Sequence, residues 1–479
     1  MYKKGTVIFI LIFAAVYIGM SLLNRSLPDE HIIMTRVSAD SESGLMGTGM
    51  EKLELQNAQI VSFDPKKPES SLKILTKNFA SAMSPELSLD NRQLVFSGKK
   101  DIDDNWQIWM MNLNNLRATQ ITDNGRDCFD PVFLPDDGIA FSCTWQDERL
   151  GNGSTLYTAN ADGSDLNAVT FHLHTDHSST MLHDGRILSV SQKVYPETDI
   201  SNLLALRPDG TKSGLFYDIP DGYQIISKAR ETIENKIFFV AKNQQNGLST
   251  AVLQFSYNNP YNSKRTVYSS GGGQIHSLYP MNDGNLLISY RENVSDTHGI
   301  YMLNQQGESE PVHIDGSYHF FEPVIIEEKP FIPRKLPSAL TDARNFGIMV
   351  FVETPQALAE TGSFEGHKIQ VMGVNGIMDE FPVLQDGSFY IRVDEKTPMR
   401  IQRVNQDDEV VKGPTSWLWL MNGERRGFTG WDERQLNSPA NRVPEAINHP
   451  YVEISVLDSP VLVIQNDEHA LSEAGYENE

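Results

Sequence analysis

The segment HLHTDH, residues 172–177, places three imidazoles and a carboxylate within six positions. Imidazole nitrogen and carboxylate oxygen are both ligands for zinc and similar ions, so His172, His174 and His177 form a candidate metal set. In an extended stretch, however, His172 and His174 share one face and His177 takes the other, which works against a shared ion. The plain alternative is a polar loop between structural repeats. No GxSxG, HExxH, phosphate-binding glycine loop or dinucleotide fingerprint occurs, so a familiar nucleophile or nucleotide site is not supported. A second notable stretch is GERRGFTGWDER, residues 423–434, dense in arginine and aromatics but without Cys or His.

The elements that would hold such residues follow a repeat. SPELSLDNRQLVFS from Ser84, DPVFLPDDGIAFS from Asp130, SSTMLHDGRILSV from Ser178, KARETIENKIFFV from Lys228 and SLYPMNDGNLLIS from Ser277 share one pattern: a short strand, an acidic turn and a β-rich strand. The turn acids Asp90, Asp136, Asp184, Glu234 and Asp283 are spaced 46, 48, 50 and 49 residues apart. That period predicts blades of one β-propeller. A sixth first strand, EPVIIEE from Glu322, lacks successors, and HIIMTRV (31–37), AQIVSFDP (58–65) and SLKILT (71–76) supply them from the other end of the chain. Six blades are therefore expected, the sixth closed by N-terminal strands. The turns and the QIWMMN strand resemble the TolB-like propeller family, whose members serve as docking rings and as enzyme scaffolds alike.

Aligning the repeats gathers Asp130, His177, Lys228, His276 and Glu322 at one end of the expected channel. Such a ring is a candidate ligand site, against the plain alternative of a hydrated polar lining. The only two cysteines, Cys128 and Cys143, fall on neighbouring positions of a predicted hairpin; they are either a disulfide or two small buried apolar groups.

After the linker 331–347, the segments GIMVFVE, HKIQVMGV, DEFPVLQDGSFYIRV, TPMRIQRVN and SWLWLM predict a small antiparallel β-sandwich over 348–455. The order QDGSFYIRV, TPMRIQRVNQDDEVV, SWLWLMNGERRGFTGWDER and SPANR resembles the C-terminal part of the hydrazine synthase alpha subunit family. In that family the corresponding loop attaches a c-type haem through Cys-x-x-Cys-His. The resemblance places the two thioether positions at Phe428 and Trp431 and the axial ligand at Asp432. None can do that chemistry, so no cofactor is expected. Phe428 and Trp431 are expected either to fill the vacated space or, with the flanking arginines, to form an interaction patch.

The remaining expectations concern setting. Residues 5–23 are an uncharged apolar run preceded by Lys3 and Lys4, so residues 1–25 read as a membrane anchor or a signal peptide that exports the propeller region 26–330 and the rest of the chain. The last 24 residues, 456–479, read as an acidic tail. A formal net charge of −23 over 479 residues argues against nucleic acid as a partner. The expected role is a non-catalytic protein of the cell envelope, periplasmic or extracytoplasmic, that docks a protein partner or ligand. The competing expectation is an enzyme with a metal held by His177, His276 and Asp130.

Overall fold

The structure is a computed structural model describing residues 27, 30–41, 48–198, 200–220, 222–244, 249–341, 343–434, 438–439 and 442–454. The expected N-terminal anchor and the acidic tail lie outside the described residues. No helix among the described residues is long and apolar enough to cross a membrane.

The chain is mostly β. Among the described residues, six units of four or five strands follow one another. In the first, Tyr318–Ile325 pairs with Ile32–Ser38, which pairs with Gln59–Phe63 and through it Lys73–Ile74, so both ends of this region share one sheet. The second runs from Ser81–Leu87 through Gln93–Lys99 and Gln107–Asn112 to Arg117–Gln120. The third, starting at Cys128–Phe133, and the fourth, starting at His174–Met181, are joined by one parallel bridge between Ser154 and Thr175. The fifth is built on Lys236–Asn243, and the sixth starts at Gln274–Pro280.

The acidic turns explain why the repeats fold alike. Asp90, Asp184 and Asp283 each accept the N–H two residues on, at 3.1, 3.0 and 2.9 Å. The residue after each acid is left-handed: Asn91, Asp137, Gly185, Asn235 and Gly284. A carboxylate that caps the turn, followed by Gly, Asn or Asp at positive φ, is a local code for reversing the chain. Cys128 and Cys143 stand directly opposite in the ladder and are bonded to each other as a disulfide.

The C-terminal region is a sandwich of two four-stranded sheets, one containing Phe346–Val352 and the other Lys368–Gly373, with Phe364, Ile369, Val371 and Ile391 in the shared core. It departs from the expected all-antiparallel arrangement. Arg425–Thr429 runs parallel to Phe346–Val352, and Val452–Glu453 parallel to Phe389–Asp394. Both late strands arrive after long excursions, which is the condition for parallel pairing. SWLWLM is also not a strand: only Leu418 bridges to Met399, because its tryptophans are used in packing between the body and the sandwich.

Candidate functional site

The innermost strands carry a recurring irregularity. Ser84, Asp130, Ser178 and Glu322 have φ of 54°, 52°, 51° and 53°. The ladder shifts register at Met83/Glu86, Phe129/Val132 and His177/Thr180. Left-handed conformation is uncommon outside glycine, and its recurrence at equivalent positions marks a shared bulge. Each bulge is tied to a neighbouring unit. Ser84 donates its N–H to Glu322 Oε2 (2.9 Å), Ser178 to Asp130 Oδ2 (2.9 Å), and Glu322 to Ser277 Oγ (2.8 Å).

A residue not singled out in the sequence sits at the centre. Lys52, from the 3-10 turn Gly49–Glu54, donates from Nζ to Asp130 Oδ1 (2.7 Å), Glu322 Oε1 (2.8 Å) and Ser84 Oγ (3.4 Å). It is 6% exposed, and Asp130 is fully buried. Burial alone would lower the Lys52 pKa, but the two carboxylates outweigh it and raise it. Burial likewise would raise Asp130 and Glu322, yet Lys52 holds both below the usual carboxylate range. The turn is seated by Trp106, whose Nε1 donates to the Leu53 carbonyl at 2.8 Å. Gly49, at φ 55°, lies so close to His177 that a Cβ would come within 2.7 Å of Cδ2, so only glycine fits there.

Three of the expected ring residues are thus already engaged. Asp130 and Glu322 face Lys52, whereas Lys228 reaches the Pro131 carbonyl (3.1 Å) and Glu86 (3.3 Å). Arg230 binds Glu86 through two parallel hydrogen bonds of 2.9 and 2.8 Å. Burial would raise Glu86, but Arg230 and Lys228 together hold its carboxyl down at about 2. The space left beside Lys52, Lys228 and His276 is about 20 Å³, room for roughly one water.

The histidines divide. His172 Nε2 meets Asp176 Oδ2 at 2.7 Å, and its ring lies 4.2 Å from that of His174, whose Nδ1 pairs with Ser191 Oγ. His177 instead pairs with Ser178 Oγ at 3.0 Å, and His276 packs on Phe321 at 4.4 Å. Among the described residues no group of three or more His, Cys, Asp or Glu side chains is arranged to hold a metal ion. The structure therefore does not bring His172, His174 and His177 together as one ligand set.

Burial pushes His177, His276 and His319 down to about 4. An unfolded histidine titrates near 6.5, so from about pH 6.5 to pH 4 the unfolded chain binds more protons and stability falls as pH falls. Each such proton contributes a slope of about 1.4 kcal/mol per pH unit. Glu231, raised by burial to about 7, and Glu327, also raised by burial, work the other way, but the buried His174 and His298, lowered as well, add to the three histidines. The unfolding temperature is expected to drop steadily between pH 6.5 and pH 4.5, measured by calorimetry; a constant or rising value would contradict this assignment.

In the sandwich, Phe428 lies in Arg425–Thr429 opposite Phe351. Trp431 packs 5.0 Å from the Phe351 ring and donates from Nε1 to Glu353 Oε1 at 2.8 Å. Glu353, 1% exposed, also pairs with Arg403, whose guanidinium lies over Phe364 at 4.4 Å. Asp432 is taken up by Arg434 at 2.8 Å. Glu424 accepts the N–H groups of Met421 (3.0 Å) and Lys212 (2.9 Å), which ties the loop to the body. These residues do not fit covalent haem: positions 428 and 431 hold no thiol, both cysteines of the chain are bonded to each other elsewhere, and Asp432 presents a carboxylate already paired with a cation.

Residues 349–433 match the family described as hydrazine synthase alpha subunit middle domain. Hydrazine synthase subunit alpha of Kuenenia stuttgartiensis is 23% identical over 367 residues, 63% of this chain and 45% of that protein, so the chain spans less than half of this curated relative's length. The solved Kuenenia stuttgartiensis hydrazine synthase superimposes with a TM-score of 0.73 at 18% identity, covering 88% of this chain and 72% of that one. TolB from Acinetobacter baumannii gives 0.45 at 13% identity over 61% of this chain and 66% of its own.

Proposed function

Taking as premise a chain related to the hydrazine synthase alpha subunit, we propose a non-catalytic binding protein of the cell envelope that retains the family's framework without covalent haem at the 423–434 loop. The observation that carries this reading is the fate of the three chemistry-bearing positions: Phe428, Trp431 and Asp432 are committed to the sandwich core, to Glu353 and to Arg434. We read the six sheet units as six blades of one ring, closed where Tyr318–Ile325 takes Ile32–Ser38 as its neighbour. The ring's centre is held by Lys52 between Asp130 and Glu322, which favours docking of a protein partner on the ring over turnover inside it. A setting outside the cytoplasm is supported by the Cys128–Cys143 bond and by the apolar run 5–23 behind two lysines, which acts as anchor or export signal.

Elemental analysis of the purified full chain tests the non-catalytic reading. No stoichiometric transition metal is expected. A bound metal that is lost in the His177→Ala, His276→Ala double variant would overturn it in favour of an enzyme.

A further inference from the structure

Between the six-unit body and the sandwich lies a cavity of about 160 Å³. Its wall is mainly apolar and carries several aromatic rings: Trp417, Trp419, Phe428 and Trp431 from the C-terminal side, and the His172–His174 ring pair from the body. Concave, apolar walls with a few polar groups are the usual form of a small-molecule site, and aromatic faces favour flat ligands.

The charged groups on this wall run against the rest of the chain. The protein carries a formal net charge of −23, yet two cations border the cavity, Arg426 and Lys193. The half-buried Arg426 guanidinium binds the Ser213 hydroxyl (3.1 Å) and carbonyl. Its acidic neighbour Glu424 is occupied by the backbone N–H groups of Met421 and Lys212. Burial holds the Arg426 guanidinium below its usual range, and the nearby Glu424 carboxylate offsets only part of that. The one acid on the wall, Glu433, accepts the Ser416 N–H. A partly desolvated cation that is only partly balanced is costly, and an anionic ligand relieves that cost.

We propose that this cavity binds a flat aromatic molecule carrying a carboxylate, its ring held among Trp417, Trp419 and Trp431 and its carboxylate by Arg426. The site needs neither haem nor a docked partner, so its test is separate from that of the haem-free, non-catalytic reading.

The probe is 2-naphthoate, titrated into the full chain and followed by tryptophan fluorescence and calorimetry. Saturable one-to-one binding is expected, with 2-naphthalenemethanol, the same ring without the charge, at least about tenfold weaker, as a charge-assisted hydrogen bond implies. Arg426→Gln is expected to weaken 2-naphthoate by about tenfold and to leave the alcohol unchanged. Gly214→Leu supplies an independent block. A Cβ there meets only Arg426 Nη2, at 3.7 Å, so the side chain enters the cavity without displacing backbone. Binding should be lost in this variant while its unfolding transition is kept. No saturable binding of 2-naphthoate, equal affinity for the alcohol, or undiminished binding in Gly214→Leu would each overturn the proposal.

Discussion

Replacing Lys52 by Met is expected to destabilise the protein by about 3–5 kcal/mol, the range found when one member of a buried ion pair is removed. The loss does not come from the lysine's own burial. It comes from Asp130 and Glu322, which lose the cation that keeps both ionised in a dry site, so that one must take up a proton or open the site to water. Urea unfolding of the full chain reads the effect directly. Adding Asp130→Asn and Glu322→Gln to Lys52→Met should recover much of the loss, since neutral groups of the same shape no longer need the cation. The exposed Lys66, paired with Glu30 at the surface, is the control, and its replacement by Met should leave the unfolding midpoint unchanged. A loss below about 1 kcal/mol for Lys52→Met would mean that the turn Gly49–Glu54 does not secure the converging strands.

The second large effect is expected at Trp431. Trp431→Ala removes a ring packed on Phe351 and the N–H that satisfies Glu353, for a cost of about 3–5 kcal/mol. Trp431→Phe keeps most of the packing and loses the hydrogen bond, so about 1–2 kcal/mol is expected. The two values together separate a side chain built into the sandwich from one presented to a partner. An alanine variant as stable as the parent would assign Trp431 to an interaction surface instead.

Much of the fold was legible because its code is local. A turn acid that binds the N–H two residues on, followed by Gly, Asn or Asp at positive φ, repeats with the period of the units and can be counted in the sequence. The opposition of Cys128 and Cys143 follows from the same hairpin arithmetic.

What escaped depends on distant partners. Lys52 pairs with residues 78 and 270 positions away, and its own neighbourhood shows no periodicity; the one available signal was the long connection between the predicted strands at 31–37 and 58–65. Alignment of the repeats sets the channel-end residues side by side, but it says nothing about an inserted cation. SWLWLM failed for a different reason. Its apolar alternation serves packing at the seam rather than strand pairing: Trp417 donates to the Tyr195 carbonyl at 2.7 Å, and Trp419 lies 5.0 Å from His172. Parallel pairing in the sandwich was equally hidden, because strand order within a sheet is not written in the strands themselves.

The haem-loop reading rests on chemistry at three side chains, and it is the most directly testable part of the account. The full chain would be produced in cells equipped for c-type haem attachment, and the purified protein weighed intact under denaturing conditions. The predicted mass is that of the polypeptide with its Cys128–Cys143 bond, with no visible absorption that survives denaturation. A mass increased by one haem, with a haem spectrum retained after denaturation, would contradict the account.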